Sequence, residues 1–349
     1  MSYETTEQNV ISSLQSANPT VFSQSTINTI LALSTAGSSS PINIQTVLPD
    51  SNGNATVSSG VDVVFFDSSE VVQTVINPPA YVPVIIFQGR GGVIATINDG
   101  STVPSGAQDH VSRVVVGSAG NDNIVVADAK NTKIILGTGD STVTAGYGVD
   151  TVEAGLGNST IIGGSGDYSV VKLAGNAQNY EVTQQNGRSI VTDIRTDITT
   201  DISKIQYVQL DYGDALVFAN DSVEAQVGEL YHVAMGREAD AGGLDFWFDA
   251  VRAGASLSQI ANGFANSNEF DALHGGQNDY EFVQSLYQNT FGRAGEAAGV
   301  EFWQSSLANG TTRAALILDF AQIATLNLEG TLHTEVEIVG NVHIVHDII

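Results

Sequence analysis

The spacing of apolar residues changes along the chain, and each change predicts a different kind of structure. Residues 1–36 contain two short apolar stripes at helical spacing, the first formed by Val10 and Leu14, and predict an N-terminal helical segment. A stretch rich in Ser, Pro, Asn and Gly, from about 36 to 56, predicts a linker. From residue 57 to about 220 the apolar residues are spaced as in strands, so the pattern predicts a long β region.

Inside the β region, residues 117–171 repeat with a period of nine residues. Glycine occupies the second and fourth positions in four consecutive units, and the eighth position is apolar in every unit. The units read GSAGNDNIV (117–125), ADAKNTKII (127–135), LGTGDSTVT (136–144), AGYGVDTVE (145–153), AGLGNSTII (154–162) and GGSGDYSVV (163–171). The eighth-position residues are Ile124, Ile134, Val143, Val152, Ile161 and Val170. A short period of this kind is typical of a β-solenoid, in which glycines permit tight turns and the apolar residues stack inside.

These units resemble the nonapeptide repeat of RTX-type (haemolysin-type calcium-binding) secreted proteins, G-G-x-G-x-D-x-U-x, which forms a parallel β-roll that binds calcium. In that family the aspartate at position six and backbone carbonyls hold the ion, and the ligands come from turns on the same side of the roll. The resemblance therefore implies two rows of calcium ligands. One row is Asp122, Asp140 and Asn158, and the other is Asn131, Asp150 and Asp167.

The units depart from the family pattern at position six, where aspartate stands only at Asp122 and Asp150. The other position-six residues are Thr132, Ser141, Ser159 and Tyr168. Fewer carboxylates mean weaker calcium binding. The alternative is a solenoid held mainly by its Val and Ile ladder, in which Asn and Ser hydrogen bond to the turns instead of a metal.

Residues 175–220 predict the closing part of the β region. Apolar residues alternate on both sides of Asn186-Gly187, which is typical of a hairpin with a two-residue turn. The segment 200–214 resembles the one that commonly closes RTX β-rolls, and implies a cap over the last rung.

From 222 to about 325 the apolar spacing becomes helical, and the sequence is duplicated at an offset of 56 residues. The two tryptophans of the chain, Trp247 and Trp303, fall on equivalent positions. Other matches are Leu230-Tyr231 with Leu286-Tyr287, Gly236-Arg237 with Gly292-Arg293, Gly243 with Gly299 and Gly254 with Gly310. The pattern resembles a helical domain of unknown function that is often attached to RTX-type secreted proteins.

The predicted fold is therefore a multidomain β + α chain, a parallel β-solenoid or β-roll followed by a tandem of two α-helical repeats.

Two pairs of residues in the helical repeats are candidates for binding a glycan or a partner. Trp247 and Trp303 could stack on sugar rings, and Arg237 and Arg293 could bind an anionic glycan. Each pair also has a structural interpretation. The tryptophans lie at helical spacing from apolar neighbours, which favours a core position. The arginines favour hydrogen bonds to the following loop and pairing with the acidic residue three positions further on.

The charge of the chain limits its partners. It carries 12 basic and 38 acidic residues, a formal charge of −26, and no cysteine. This composition argues against nucleic acid and anionic membranes as partners, and it excludes disulfides, thiol chemistry and Cys-based zinc sites. It favours a protein whose carboxylates meet a divalent cation outside the cell, with an acidic and highly soluble surface as the alternative.

The ends of the sequence bear on localisation. The first ten residues lack the basic and apolar regions of a signal peptide, and no apolar run approaches the length of a membrane span. Residues 331–349 alternate like a strand and are similar to the uncleaved C-terminal signals of type I secretion substrates; an ordinary edge strand is the alternative. We therefore expect an extracellular or cell-surface protein that is exported without a cleaved N-terminal signal.

The functional expectation follows from the repeats and the charge, since the sequence contains no HExxH, no Gly-x-Ser-x-Gly and no phosphate-binding loop with its Lys. It predicts a non-enzymatic secreted structural protein of a bacterial surface layer, extracellular matrix or adhesive assembly. Such a protein would self-associate and use calcium in folding or assembly. The alternative is a carbohydrate-binding module that recognises surface polysaccharide through the helical repeats. An enzyme with its chemistry in residues 57–116 is a third class.

Overall fold

The computed structural model describes residues 2–5, 7–17, 22–35, 41–104, 110–166, 168–237, 239–325, 335–339 and 342–347. The chain divides into two compact units. The first comprises Met1–Leu173 and Asn179–Ile205, and the second comprises Ala174–Gln178 and Gln206–Ile349.

The first unit is a β-solenoid in which successive strands of the central coils alternate between two sheets. Its strands are β1 (Ser2–Thr5), β2 (Ile42–Val47), β3 (Val63–Asp67), β4 (Thr74–Ile76), β5 (Val84–Gln88), β6 (Val93–Ile97), β7 (Arg113–Val116), β8 (Asn123–Val126), β9 (Thr132–Ile135), β10 (Ser141–Thr144), β11 (Asp150–Glu153), β12 (Ser159–Ile162), β13 (Ser169–Lys172), β14 (Tyr180–Gln185), β15 (Arg188–Asp193) and β16 (Ile198–Ser203). In this unit sheet A runs β1-β2-β3-β5-β7-β9-β11-β13, and sheet B runs β4-β6-β8-β10-β12-β16-β15-β14. Between β3 and β13 each strand pairs in parallel with the strand two places further along, so each coil adds one strand to each sheet. The predicted fold class is confirmed.

Apolar side chains stack in columns inside the solenoid. Ile124, Val143 and Ile161 are in register along sheet B and are completely buried. Ile134 and Val152 form the corresponding column of sheet A. Because full burial of such a side chain contributes about 1.5–3 kcal/mol, these columns are a main source of stability in the unit.

The last nonapeptide unit differs from the predicted register by one residue. Val152 pairs with Val171 rather than with Val170, so the prediction that Val170 joins the inward column is wrong. Asp150 pairs with Ser169, which places Ser169 and not Tyr168 at the position-six site of this coil. The turn of the last unit therefore holds one residue more than a strict period of nine allows.

The glycines at the second position of the units lie where one turn stacks on the turn of the neighbouring coil. A Cβ atom added to Gly155 would collide with the carbonyl oxygen of Gly137, and one added to Gly137 would collide with the carbonyl oxygen of Ser118. Only a residue without a side chain permits this approach of backbone to backbone. The glycine pattern of the sequence thus reflects the distance between coils.

Two helices, α1 (Glu7–Ala17) and α2 (Gln24–Thr35), pack on the outer face of sheet A. A second buried cluster forms there. Its helical members are Val10, Leu14, Ile27, Ile30 and Leu31, and its strand members include Ile44, Val63, Phe65, Val84, Ile86, Val114 and Val116. Strands β3, β5 and β7 are apolar at almost every position because both of their faces are buried. Strand β2 lies within the stretch for which the sequence predicted a linker.

The closing hairpin of the first unit is the one that the sequence predicted. Strands β14 and β15 are antiparallel, and Gln185 pairs with Arg188. Asn186 and Gly187 both have positive φ angles, 53° and 76°, as a type I′ turn requires.

The second unit combines a small antiparallel sheet with a helical region. Its strands are β17 (Tyr207–Gln209), β18 (Ala215–Ala219), β19 (Glu335–Val339) and β20 (Val342–Asp347), in the order β17-β18-β20-β19. Its helices are α3 (Ser222–Met235), α4 (Ala241–Arg252), α5 (Leu257–Ala265), α6 (Asn268–His274), α7 (Asp279–Phe291), α8 (Ala297–Ala308) and α9 (Arg313–Thr325). The C-terminal stretch 331–349 thus contains two strands, and the rest of that stretch lies outside the described residues.

The duplication in the sequence corresponds to two sets of three helices. Helices α3, α4 and α5 match α7, α8 and α9, and α6 follows the first set. Both α3 and α7 end at a glycine in the left-handed conformation, Gly236 with φ 63° and Gly292 with φ 62°. In the part of the chain that the structure describes, no helix is long and apolar enough to cross a membrane.

Candidate functional site

The predicted calcium ligands lie on the turns of the solenoid, in two rows. Asp122, Asp140 and Asn158 immediately precede β8, β10 and β12 of sheet B. Asn131 and Asp150 lie where the chain enters β9 and β11 of sheet A. Asp167 lies outside the described residues.

Asp122 is buried and uses both of its carboxylate oxygens in hydrogen bonds to the protein. Oδ1 accepts from the N–H of Val93 (2.9 Å) and from the hydroxyl of Ser118 (2.6 Å), and Oδ2 accepts from the N–H of Ser118 (2.7 Å). Burial raises the pKa of the Asp122 carboxyl, while the hydrogen bonds from Ser118 and Val93 oppose this rise. The side chain therefore joins its own turn to the coil before it.

Asp150 has the same role on the other side of the solenoid. Oδ1 accepts from the N–H of Thr132 (2.9 Å) on the preceding coil, and Oδ2 accepts from the N–H of Gly146 (2.6 Å) in its own turn. Burial raises the pKa of Asp150 from its ordinary value of 3.8 to about 6, against the lowering effect of these two N–H groups and of the charge of Arg113. The charge of the nearby Asp128 adds to the rise.

The exposed Asn and Asp side chains form a ladder along one side of the solenoid. The Oδ1 atom of each accepts from the backbone N–H of the next coil: Asn121 from Asp140 (3.0 Å), Asp140 from Asn158 (2.8 Å) and Asn158 from Thr199 (2.9 Å). On the other side, Oδ1 of Asn131 accepts from the N–H of Val149 (3.0 Å). These side-chain oxygens accept hydrogen bonds from backbone N–H groups that would otherwise have no partner between the turns.

The arrangement of these oxygens does not fit a resident calcium ion. Calcium takes 6–8 oxygen ligands, whereas Asp122 and Asp150 direct both carboxylate oxygens at N–H or O–H donors. Their neighbours at position six are hydroxyl residues: Ser141, Ser159 and Thr200 beside Asp122, and Thr132 and Ser169 beside Asp150. Within the described ranges, no three His, Asp or Glu side chains gather as a metal site.

A buried ion pair that the sequence analysis did not identify lies in the same row as Asp150. Arg113 and Asp128 are both completely buried, and the guanidinium donates to both carboxylate oxygens of Asp128 at 2.9 and 2.7 Å. It also donates to the hydroxyl of Thr132 (2.9 Å). Two features of the sequence pointed to this pair. Asp128 stands where most units have their second-position glycine, and Arg113 is the one charged residue of the strand Arg113–Val116.

We expect the ionisation of Asp150 to lower the unfolding free energy of the protein at neutral pH. Because its folded pKa of about 6 exceeds its ordinary value, the folded state holds the proton between about pH 4 and pH 6 while the unfolded state has released it. The unfolding free energy should therefore fall as the pH rises through this window. Relative to Asp150→Asn, which retains Arg113 and Asp128, the wild type should lose about 3 kcal/mol between about pH 4 and pH 7. Urea unfolding of both proteins measures this difference, and a difference that does not change with pH would contradict the assignment.

In the helical repeats, the repeated tyrosine, glycine and tryptophan contact one another. A Cβ atom added to Gly243 would collide with the hydroxyl of Tyr231, and the rings of Tyr231 and Trp247 both pack on Phe264, with centroids 4.6 and 5.0 Å from it. Burial and the charge of Asp240 raise the pKa of Tyr231 to about 12. The second copy repeats the arrangement with Gly299, Tyr287 and Trp303. The pattern found in the sequence is thus a packing motif.

Both tryptophans are partly buried and pack against the core of the second unit. Trp247 stacks on Phe264 with ring centroids 5.0 Å apart, and Trp303 lies 5.2 Å from Phe320. These contacts support the structural interpretation of the two residues.

The two arginines pair with the acidic residues three positions further on. Arg237 lies 3.7 Å from Asp240, and Arg293 lies 2.9 Å from Glu296. Arg237 also makes a two-point hydrogen bond with Glu269 of α6 at 2.6 and 3.0 Å. The position equivalent to Glu269 in the second copy is Thr325, which carries no charge.

Two exposed aromatic residues of the repeats are the phenylalanines beside the tryptophans. Phe246 is 64% exposed and Phe302 is 61% exposed. Each meets its neighbouring tryptophan edge to face, with ring centroids 4.9 Å apart in both copies. The sequence pattern pointed to the tryptophans, and not to these phenylalanines, as candidate surfaces for sugar rings.

Comparison with known proteins bears on the helical unit. Residues 216–274 and 270–324 each match the family described as "Domain of unknown function (DUF4214)". No curated protein and no solved structure matches the chain. The two matches fall on the two sets of helices, so the chain contains two copies of a helical domain similar to this family, as the duplication in the sequence predicted.

Proposed function

We propose that this chain is a non-enzymatic, RTX-type secreted structural protein that self-associates in a bacterial surface layer, extracellular matrix or adhesive assembly. The observation that carries the proposal is the apolar surface of the first coils of the solenoid. The nonapeptide repeats, the acidic charge and the resemblance of the C-terminal stretch to type I secretion signals support a location outside the cell.

Exposed apolar side chains concentrate on the coils that precede the nonapeptides. They are Leu48, Val71, Val72, Val75, Tyr81, Ile94 and Val103. Val71 and Val72 are 85% and 63% exposed on the turn before β4, the terminal strand of sheet B at this end. Val75 and Ile94 are neighbours on β4 and β6 and are 48% and 39% exposed. Exposed apolar surface at the end of a sheet favours association with another protein surface.

A second copy of this chain is the partner that we propose for this surface. A stack of parallel coils ends in a turn that no further coil covers, and contact with another copy would cover Val71 and Val72. The net charge of −26 opposes such contact through repulsion between copies. Calcium and other divalent cations would reduce this repulsion, so in this proposal calcium promotes the assembly by acting between copies.

Light scattering and electron microscopy of the purified protein, with millimolar calcium and with chelator, test the proposal. We expect the mass to increase with concentration, and more strongly with calcium. Val71→Ser combined with Val72→Ser should reduce association. Leu156→Ser is the matched control, because Leu156 is exposed on a nonapeptide turn. A monomer at every concentration in both solutions would refute self-association, and an equal loss in the control would refute this surface.

Recognition of a surface polysaccharide by the helical repeats is a second candidate, which the exposed Phe246 and Phe302 favour. Both rings recur at the same position with the same geometry, and an exposed aromatic face is suited to stacking on a sugar ring. Loss of polysaccharide retention in the double variant Phe246→Ala/Phe302→Ala, with the helical fold intact, would support this candidate.

A further inference from the structure

The interior of the solenoid contains a fixed positive charge beside two of its buried carboxylates, Asp128 and Asp150. Arg113 begins β7 and lies two residues before the inward-facing Val115, so its side chain is on the same face of the strand and enters the interior. There it meets Asp128 and Thr132 at 2.7–2.9 Å. A two-point contact between guanidinium and carboxylate is the strongest geometry that this pair adopts.

Asp128 is also held by its own backbone surroundings. Oδ2 accepts from the N–H of Asp99 (3.1 Å), and Oδ1 accepts from the N–H of Lys130 (3.2 Å). Both oxygens therefore have one guanidinium donor and one backbone donor. The next carboxylate in the row, Asp150, lies close enough for the charge of Arg113 to act on it.

We propose that Arg113 is the internal cation of this solenoid and that the first unit folds and remains folded without calcium. In RTX-type rolls, the resemblance implies that calcium neutralises the carboxylates of the turns. Here a guanidinium neutralises one buried carboxylate, and N–H and O–H donors occupy the oxygens of the other two, Asp122 and Asp150. Each of these oxygens already accepts at least one N–H or O–H group of the fold, so a metal bound there would compete with donors that hold the turns together.

The inference changes what calcium is expected to do. The sequence predicted that external calcium would contribute folding free energy. The described contacts instead supply the positive charge and the hydrogen bonds from within the chain. Folding and assembly then separate: the proposed assembly could respond to calcium while the solenoid does not.

Thermal unfolding of the full chain in chelator, in millimolar calcium and in magnesium at matched ionic strength tests the proposal. Far-ultraviolet circular dichroism follows the strands. We expect the same midpoint in calcium as in magnesium, and a folded solenoid in chelator. A midpoint that rises in calcium but not in magnesium, with the rise lost in Asp122→Asn/Asp150→Asn, would overturn it.

Variants of the ion pair test the role of Arg113 itself. Arg113→Met leaves Asp128 buried without its cation, so we expect the midpoint to fall by about 10 °C. Arg113→Met/Asp128→Asn removes both charges and should recover part of this loss. Arg195→Met is the matched control, since Arg195 pairs with Asp193 (2.7 Å) and is 47% exposed. A midpoint for Arg113→Met equal to that of the control would refute the role of the internal cation, and so would no recovery in the double variant.

Discussion

Replacing Gly155 by alanine is expected to destabilise the solenoid unit by about 3 kcal/mol or more. The new Cβ atom would collide with the backbone carbonyl of Gly137 on the neighbouring coil. A backbone atom cannot move aside as the end of a flexible side chain can, so two coils would have to separate. Separation would weaken the inward columns of Val143 and Ile161 and the hydrogen bond from Asn158 to Asp140.

Urea unfolding can assign this loss to one unit, because both tryptophans lie in the helical unit. Far-ultraviolet circular dichroism should show an earlier transition of the strands, while tryptophan fluorescence should keep the wild-type midpoint. Gly100→Ala is the matched control: Gly100 also lies in the solenoid unit and has a φ angle of 83°, but a Cβ atom there would meet nothing. That variant should lose only about 1 kcal/mol, the cost of a left-handed alanine. Equal losses in the two variants would contradict the stacking argument.

Replacing Trp247 by alanine is expected to destabilise the helical unit by about 3 kcal/mol. The substitution removes the stacking on Phe264 and leaves a gap above Gly263. Trp303→Ala should have a similar effect, because Trp303 packs on Phe320. Helical circular dichroism during urea unfolding, together with the fluorescence of the remaining tryptophan, measures the loss.

The neighbouring phenylalanine supplies the control for this prediction. Phe246→Ala changes an aromatic residue on the same helix that is 64% exposed, so we expect less than about 1 kcal/mol of destabilisation. Trp247→Phe keeps an aromatic ring against Phe264 and should cost less than Trp247→Ala. If Trp247→Ala instead remained as stable as the wild type and lost polysaccharide binding, the tryptophan would be a surface platform, and the packing interpretation would be wrong.

Periodic features could be predicted from the sequence because each repeats a single physical requirement. The eighth position, which is apolar in every unit, indicates an inward column of side chains. The offset of 56 residues indicates two similar sets of helices. The Asn186-Gly187 turn was predictable for a local reason, since only a few residue pairs adopt its two positive φ angles.

Features that depend on contacts between distant residues could not be predicted in this way. The slip at Ser169 depends on how the last turn stacks on the coil before it, and β2 forms because the solenoid supplies its partner strand, β3. The pairing of Arg113 with Asp128 interrupts the pattern once, and so a search for periodicity does not detect it. The donors around Asp122 also come from different coils, which the order of residues along the chain does not reveal.

The ladder of Asn and Asp side chains has a consequence for how the length of the solenoid can change. Ser141 and Ser159 are paired residues on adjacent strands, and 18 residues separate them. Removing residues 141–158 would delete one complete coil and bring Asp140 to the place of Asn158, with the same kind of oxygen facing the N–H of Thr199. Related chains can therefore grow or shrink in steps of one coil, each about 4.8 Å along the axis.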